Sequence, residues 1–532
     1  MLGARTGLGR NSLIAGTGIL CSRLLGFARD AALAWLFGAS ATADALATAL
    51  RLPYLARRLY GEGALSLELT VHCVRVRQGG VAGNDLWLAL AVGRHVLAWG
   101  LGLLVIGLIA ARPILLFLTP GLADKAEILA EATGMFRLCL PYIPAAWLAA
   151  VCMAVLHARE YFALPALTSS LFNVIVLLFV GAAFLGTGFF SMGTIGLMVA
   201  CGVLCGGLAQ WGVQMPFVRR LACLHPPADP PKAAVVRTVA CGLPLGLLGA
   251  AAPQLIFLVA AGLTSLLPEF SLAALFYAER LLEFPLGICG AAIGMAATPY
   301  LAKDVSAAGP DADPHAGGAA VRAPLGQTLE LVWLCNLPAA AGLMAVSLPL
   351  TLALFGHGAF DAKAAHSTAL LLCAYAPGLP AYAASRPLLA VCHAFADRRT
   401  PLYALLAGLI TALVSGFALL GHGPAGPPLG AVVGLWIHVL VLGLGVRRAC
   451  GDLPLSWRSL GRALWPAFGG SLLTYWCAAR LAEAASGPVT ALLLAVPGGV
   501  IVYILTICGL DARMRHRLGQ GLRGLYNSWR ER

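Results

Sequence analysis

"CSRLLGFARDAALAWLFGASATADALATALRLPYLARRLYGEGALS", residues Cys21 to Ser66, reads as membrane-spanning helix and yet carries many charges. A charged side chain near the bilayer centre costs about 2.5 to 3.5 kcal/mol on insertion scales. Charges that a membrane segment retains at this expense are expected to have a function. Those in and beside the apolar runs are Arg23, Arg29, Asp30, Asp44, Arg51, Arg57, Arg58 and Glu62.

The rest of the chain is strongly apolar. Of its 532 residues, 60% are hydrophobic and only 11% are charged, whereas soluble domains are about 25% charged. Long apolar runs recur from end to end, without the ten-residue alternation of an outer-membrane barrel. The composition therefore predicts an all-α polytopic membrane protein. Membrane topology accounts for the net charge of +13, so we expect no nucleic-acid partner.

Apolar segments long enough to cross a bilayer contain about 20 residues. By this criterion we predict fourteen transmembrane helices. They span residues 12–37, 43–72, 85–110, 128–157, 161–186, 191–218, 237–262, 270–301, 326–352, 366–393, 400–421, 428–446, 461–484 and 488–510.

The distribution of lysine and arginine predicts the orientation of these helices. If both termini are cytoplasmic, the inner loops and tails hold 23 of the 36 basic residues and the outer loops hold 4. This asymmetry is typical of the positive-inside rule and supports an even number of spans. The remaining 9 lie at membrane depth, and 5 of these are in the first two helices.

An internal repeat divides the chain. Residues Pro144–Pro165 align without gaps on Pro380–Pro401, at an offset of 236 positions. Because both segments run in the same order and direction, we predict a parallel repeat of six helices with two helices left over. The predicted domains are an N-lobe (1–222), a C-lobe (223–458) and helices 13 and 14 with a basic cytoplasmic tail (459–532).

The intramembrane charges favour an anion-binding cavity. Arg23, Arg29 and Arg51 outnumber Asp30 and Asp44, so ion pairing alone leaves positive charge over. Arginine from both lobes, with Arg280 on the eighth helix, is expected to converge on one cavity, and guanidinium groups suit phosphate. Snorkelling to the cytoplasmic interface explains Arg57, Arg58 and Glu62 about equally well.

Enzyme and metal motifs are absent from the sequence. The fifteen cysteines form no CxxC pairs, so we predict no metal site, no cofactor and no enzymatic activity.

The motifs of the opening stretch resemble the N-terminal signature of the MurJ/MviN family, the lipid II flippases of bacterial cell-wall synthesis. "FYAERLLEFPLGICGAAIGMAATPYLAK" (Phe276–Lys303) and "FADRRTP" (Phe395–Pro401) are similar to two further family motifs. The resemblance implies two six-helix lobes in a V, plus two C-terminal helices that form a hydrophobic groove. The chain departs from the family at Tyr54, where asparagine is usual, and at Glu68, where the end of the second helix is altered.

Site residues follow from the resemblance by motif position. The implied substrate-binding residues are Arg23, Arg29, Asp44, Arg57, Arg280 and Glu283. Gate or supporting roles are implied for Ser22, Asp30, Arg51, Arg58 and Glu62.

The implied function is to flip lipid II from the cytoplasmic to the outer leaflet of the bacterial inner membrane by alternating access. Membrane potential or a monovalent cation would drive transport, with Asp397 as a candidate ligand, and cell-wall synthesis enzymes are candidate partners. Four alternatives stay open: a flippase for another undecaprenyl-linked oligosaccharide, a drug exporter, an intramembrane glycosyltransferase or ligase, and a non-transporting cell-wall scaffold.

Overall fold

The structure, a computed structural model, describes residues 2–58, 64–78, 84–224, 236, 251–287, 314–395, 397–450 and 457–510. This part of the chain is helical, with short connecting turns and no β-strand, which confirms the all-α prediction.

The described residues form two compact units. One comprises the chain up to Phe276 together with His357–Ala364, and the other comprises Tyr277–Gly356 and the chain from Ala365 onward. The predicted lobe boundaries at residues 222 and 458 stay predictions.

The first unit contains helices α1 to α10 and the beginning of α11. Their bounds are α1 Leu2–Phe37, α2 Ala41–Ala56, α3 Ala64–Gln78, α4 Asn84–Ile109, α5 Ala111–Leu118, α6 Ala126–Cys139, α7 Tyr142–Ala158, α8 Ala163–Leu185, α9 Met192–Leu224, α10 Ala251–Thr264 and α11 271–287.

The second unit contains the remainder of α11 and all later helices. These are α12 Pro314–Ala345, α13 Ser347–Phe355, α14 Ala362–Tyr375 (which begins in the first unit), α15 Leu379–Ala394, α16 Arg399–Ala418, α17 Gly426–Cys450, α18 Trp457–Glu483 and α19 Pro488–Leu510.

Eight helical segments in the described residues are long and apolar enough to cross a membrane. Many of their large apolar side chains are exposed, as lipid-facing side chains would be: Leu185 is 78% exposed and Leu505 is 66% exposed. The chain is therefore a multi-pass membrane protein, while the count of fourteen spans stays a prediction.

Helix boundaries confirm the internal offset of 236 positions well beyond the segment that revealed it. The last residues of α4 and α12 are 236 positions apart, and so are the last residues of α7 and α15. The first residues of α5, α6 and α8 are likewise 236 positions before those of α13, α14 and α16. The two copies thus share a succession of helix ends that no single sequence motif encodes.

Three predicted spans are interrupted in the structure. The span 128–157 is divided between α6 and α7 at Pro141, and the span 366–393 is divided between α14 and α15 at Pro377. Proline has no N–H to donate within a helix, so each helix ends and a new one begins. The span 326–352 is likewise divided between α12 and α13 near Val346.

The predicted span 43–72 is described as two helices. Helix α2 ends at Ala56, three residues after Pro53, and a π-helical turn follows at Arg57 and Arg58. Helix α3 then begins at Ala64. The altered end of the second helix that Glu68 suggested lies on α3, whose backbone is helical there.

A tight turn joins α1 to α2. Gly38 has a φ of +56°, and an added Cβ would collide with the carbonyl of Ala359, so glycine is required on both counts. Ser40 then caps α2, since its Oγ accepts a hydrogen bond of 3.2 Å from the Ala43 N–H. This turn sets where α2 begins, and hence the position of its first charged residue, Asp44.

A buried ion pair connects α4 to the end of α7. The Arg159 guanidinium donates from Nε and Nη2 to the two carboxylate oxygens of Asp85, each at 2.9 Å, and the Asp85 side chain is 1% exposed. Arg77 on α3 donates to the Ala158 carbonyl at 2.8 Å. Together these contacts hold three helices of the first unit at one end.

Candidate functional site

Arg29 is the most deeply buried arginine of the predicted site. Its Nε and Nη2 both donate to Oδ1 of Asp30, at 2.9 and 2.7 Å, and the two side chains are only 8% and 7% exposed. A buried guanidinium needs such a partner because an unpaired charge in a low-dielectric interior is strongly unfavourable. Asp30 therefore pairs directly with Arg29, and the supporting role in transport implied for it stays a prediction.

Asn173 on α8 completes the surroundings of Arg29. Its Oδ1 accepts from Arg29 Nη1 at 2.9 Å, and its Nδ2 donates to the carbonyl oxygen of Ser22 at 3.0 Å. The amide thus joins α8 to α1 at two points seven residues apart. Ser22 takes part through its backbone.

Arg57 lies beside the same helix, just after α2. Its guanidinium carbon is 4.7 Å from the centre of the Phe172 ring, and its Nη1 donates to the Tyr142 hydroxyl at 3.2 Å. The guanidinium of Arg29 is 5.9 Å from the same ring and 5.8 Å from that of Tyr54. Phe172 therefore contacts both guanidinium groups by cation–π interaction.

The end of α2 is fixed by contacts that follow from its sequence. The N–H of Arg57 donates back to the carbonyls of Pro53 and Tyr54. The carbonyl of Ala56, near the helix end, accepts from Trp147 Nε1 at 3.0 Å. The proline loosens the regular hydrogen-bond pattern, and the tryptophan satisfies an acceptor that the helix leaves over.

The side chains of Arg29, Asp30 and Arg57 have a summed formal charge of +1. They lie next to the aromatic rings of Tyr54 and Phe172. We call Arg29, Asp30, Arg57, Phe172 and Asn173 the arginine cluster. Its chemistry suits a phosphate-bearing ligand, since guanidinium groups bind phosphate oxygens in pairs.

Asp44 lies apart from the arginine cluster and caps a helix. Its carboxylate accepts from the backbone N–H of Phe270 and of Ala273, both at 2.7 Å, at the start of α11. Asp44 is 1% exposed. Its predicted substrate role stays a prediction, while its visible role is to satisfy the free N–H groups of a helix N-terminus.

Lys125 contacts the same connection between α10 and α11 from the other end. Its Nζ donates to the carbonyls of Leu267 and Ser265, at 2.9 and 3.5 Å. Phe270, whose N–H donates to Asp44, has a φ of +71°, a strained conformation for a side chain of this size. An anion at the start of α11 and a cation near the end of α10 both match the helix dipoles.

In the second unit, Arg280 and Glu283 pair one helical turn apart on α11. Arg280 Nη1 donates to Glu283 Oε2 at 3.1 Å, and the side chains are 14% and 28% exposed. Nearby on the same helix, Glu279 Oε1 accepts from the Tyr375 hydroxyl at 3.4 Å. The two predicted substrate-binding residues of this unit therefore contact each other.

The other predicted residues are placed as follows. Arg23, Arg51 and Arg58 are half-buried, and among the described residues no ion pair involves Arg23. Glu62 lies outside the described residues.

Asp397, the candidate cation ligand, is occupied as a helix-capping group. Its Oδ1 accepts from the backbone N–H of Arg399 and of Thr400, at 3.0 and 3.1 Å, at the start of α16. Partial burial raises the pKa of Asp397, but these hydrogen bonds and the charge of Arg399 outweigh it and bring the pKa below its ordinary value. The group is thus a structural carboxylate in this state.

Three residues of the site were missed by the sequence analysis: Tyr142, Phe172 and Asn173. Asn173 offered a signal, because it is an amide within an otherwise apolar span and needs hydrogen-bond partners there. Tyr142 and Phe172 offered none, since aromatic residues are common in membrane helices.

Comparison with known proteins gives a consistent result. A family model described as "Lipid II flippase MurJ" matches residues 33–495. A lipid II flippase MurJ of Burkholderia cenocepacia is 31% identical, over 86% of this chain and 88% of that protein. A probable lipid II flippase MurJ of Bdellovibrio bacteriovorus is 30% identical, over 75% of this chain and 74% of that protein.

Solved structures agree at the level of the fold. A lipid II flippase MurJ in an inward closed conformation matches with a TM-score of 0.71 and 21% identity, covering 93% of this chain and 98% of that chain. A MATE multidrug transporter in an inward-facing conformation matches with a TM-score of 0.59 and 14% identity, covering 80% and 94%. These likenesses show that the chain shares the fold of these two proteins.

Proposed function

The chain belongs to the MurJ family of lipid II flippases, and from this premise we propose that it moves lipid II from the cytoplasmic to the outer leaflet by alternating access. The site of action is the bacterial inner membrane, with both termini in the cytoplasm. The product is the lipid-linked precursor presented for peptidoglycan synthesis, and hence for maintenance of cell shape. The protein acts as a transporter and catalyses no covalent step.

The arginine cluster is the observation that carries this proposal. Lipid II has a pyrophosphate between its undecaprenyl tail and its sugars, so a flippase must compensate those negative charges at membrane depth. Arg29 and Arg57 lie within 6 Å of one buried aromatic ring, and the Asp30 carboxylate pairs with Arg29. A drug exporter for organic cations would have no use for this surplus of positive charge.

The predicted residues take different parts in the proposal. Arg23, Arg29 and Arg57 bind the pyrophosphate and adjacent sugar, with Asp30 and Ser22 in support. Arg280 and Glu283 stay proposed head-group ligands on the strength of the family motif. Asp44 is proposed to act through its contact with α11, by stabilising one of the states that transport must pass through.

Transport in one direction needs a source of free energy. Membrane potential supplies about 2.3 kcal/mol for each elementary charge moved through 100 mV. We propose that membrane potential, or a coupled monovalent cation, drives the cycle without a bound cofactor. The undecaprenyl tail stays in lipid or in a groove of α18 and α19 while the head group crosses.

Growth of a flippase-depleted bacterial strain, together with lipid II translocation in vesicles, tests the proposal. We expect the wild-type chain to restore growth, and Arg57→Ala or Arg280→Ala to abolish it at normal membrane levels. Arg94→Ala is the control, because Arg94 is an exposed arginine on α4 that is not among the predicted site residues.

Two results would contradict the proposal. Full growth with Arg29→Ala and Arg280→Ala combined would favour a scaffold that needs no cation cluster. Vesicles that translocate a different undecaprenyl-linked oligosaccharide, but not lipid II, would assign another lipid-linked substrate.

A further inference from the structure

Phe172 and Asn173 are neighbours on α8, and both contact arginines of the cluster. Asn173 accepts a hydrogen bond from Arg29, and the ring of Phe172 lies 4.7 Å from the guanidinium carbon of Arg57 and 5.9 Å from that of Arg29. Both residues are buried, at 5% and 0% exposure. One short segment of α8 is therefore in contact with both guanidinium groups.

The amide of Asn173 satisfies Arg29 without neutralising it. Asp30 already takes two donors of Arg29, and the charged groups that act on Arg29 from other elements include Arg57. A carboxylate at position 173 would still accept from Arg29, but it would lose the hydrogen bond to the Ser22 carbonyl and would cancel the cluster's remaining positive charge. Asparagine fixes the guanidinium and leaves the cluster cationic.

Phe172 contacts the guanidinium of Arg57 through its aromatic ring, whose centre is 4.7 Å from the guanidinium carbon. A cation–π contact uses none of the N–H groups, which all point outward in the guanidinium plane. The Arg57 guanidinium is thereby held by a contact that takes up none of its hydrogen-bond donors, the groups that bind phosphate oxygens.

Two glycines on α9 make this arrangement possible. A Cβ on Gly206 would lie 2.8 Å from Cδ2 of Phe172, and a Cβ on Gly207 would collide with the Tyr142 ring. The rings of Phe172 and Tyr142 have centroids 5.7 Å apart, and Tyr142 also accepts from Arg57. The close approach of α9 thus keeps the rings of Phe172 and Tyr142 in contact with Arg57.

The second copy of the repeat shows that the fold does not require these residues. At the offset of 236, Phe172 and Asn173 correspond to Gly408 and Leu409, and Tyr142 corresponds to Gly378. Helices α16 and α17 pack closely there through small residues, with Gly434 against the Gly408 carbonyl. An aromatic ring and an amide at these positions therefore serve something particular to the first copy.

We propose that Phe172 and Asn173 are positioning residues of the substrate site: Asn173 fixes Arg29 without adding negative charge to the cluster, and Phe172 holds Arg57 in place for the pyrophosphate. The inference rests on the proposed function. In this proposal the two uncharged residues on α8 contribute to lipid II recognition indirectly, by holding the arginines that bind it.

The test measures the dissociation constant for lipid II and the melting temperature of the same purified protein in nanodiscs. In Asn173→Asp, we expect the melting temperature to change little, because the ionic partner that Arg29 gains offsets the hydrogen bond lost to Ser22, while lipid II binds about tenfold or more weakly. A merely structural residue would lower both quantities together. Phe172→Leu keeps a buried apolar side chain and should also weaken binding, by about threefold to tenfold, through loss of the cation–π contact.

Matched controls separate positioning from packing. Asn336 on α12 is fully buried and donates to its own helix at Val332, so Asn336→Leu should change stability and leave lipid II binding as in wild type. Phe136 on α6 is a fully buried phenylalanine of the same unit, and Phe136→Leu is the control for Phe172→Leu.

The outcomes distinguish the two proposals. Wild-type affinity in Asn173→Asp and Phe172→Leu, or affinity losses that merely follow the melting temperature as in the controls, would overturn the positioning role alone. If Asn173→Asp fails to fold, Phe172→Leu decides by the same comparison. Failure of the wild-type protein to bind lipid II would overturn the proposed function itself.

Discussion

Loss of the Asp85 carboxylate should lower the stability of the first unit. Removing it leaves the Arg159 guanidinium buried without its anion, and breaking such a pair costs about 3 to 5 kcal/mol. We expect Asp85→Ala to lower the melting temperature of the purified protein markedly. Replacing both partners by apolar residues should recover part of the loss, because no charge is then left buried.

The control for this prediction is an ion pair of the same chemistry at the surface. Arg480 and Glu483 lie 3.4 Å apart on α18 and are 67% and 68% exposed. Exposed pairs contribute about 0 to 1 kcal/mol, so Arg480→Ala should hardly change the melting temperature. Equal effects of the two substitutions would show that burial of Asp85 is not what matters.

Single residues also mark how far the sequence can be used for prediction. Arg29, Asp30 and Arg57 were predictable, since a charge in an apolar run is conspicuous in itself. Their partners were not, because Asn173 is 144 positions from Arg29 and Tyr142 is 85 positions from Arg57. Those pairings depend on how α8 and α7 pack, which local sequence does not encode.

At the scale of helices, the connection between α10 and α11 is held by contacts at both ends. We expect Asp44→Ala to raise hydrogen exchange of residues 265–276 by at least about tenfold, because the Phe270 and Ala273 amides lose a charged acceptor. Lys125→Met should act in the same direction through the carbonyls of Ser265 and Leu267.

Arg112→Ala is the control for this prediction, because Arg112 is an exposed cation on neighbouring α5. Exchange that stays at the wild-type rate in Asp44→Ala would mean that the α11 cap is redundant.

Helix boundaries were predictable from the sequence where the hydropathy changes. They were not predictable where only the backbone hydrogen-bond pattern is interrupted. The predicted spans joined α6 to α7 and α14 to α15, since the apolar character continues across both breaks. Pro141 and Pro377 interrupt the backbone pattern without changing polarity. The change from α-helix to a π-helical turn after Ala56 likewise follows a proline, Pro53.

For the whole molecule, the orientation of the chain is the prediction most open to direct measurement. In a variant without exposed native cysteines, we expect single cysteines at positions 363 and 480 to react with a membrane-impermeant maleimide added outside spheroplasts. Cysteines at the exposed positions 219 and 398 should react only after lysis, because positive loops stay in the cytoplasm. Labelling of all four from outside would contradict the proposed topology.

The duplication could be read from the sequence, but the difference between its copies could not. Twenty-two aligned residues predicted an offset that the helix boundaries then followed across several helices. The contacts to arginine that distinguish the first copy depend on a handful of side chains, such as Asn173 where the second copy has Leu409. Shared architecture and separate chemistry are thus encoded at different positions.

The contacts around Arg29 have a consequence for the kinetics of recognition. An arginine side chain that becomes ordered loses about 1.5 to 2 kcal/mol of rotamer freedom, and Arg29 has already lost it when the chain folds. A pyrophosphate arriving at this group meets a guanidinium with a fixed orientation, so little searching among rotamers is needed. Preorganisation of this kind lets a site bind a head group firmly and release it again with very little local rearrangement.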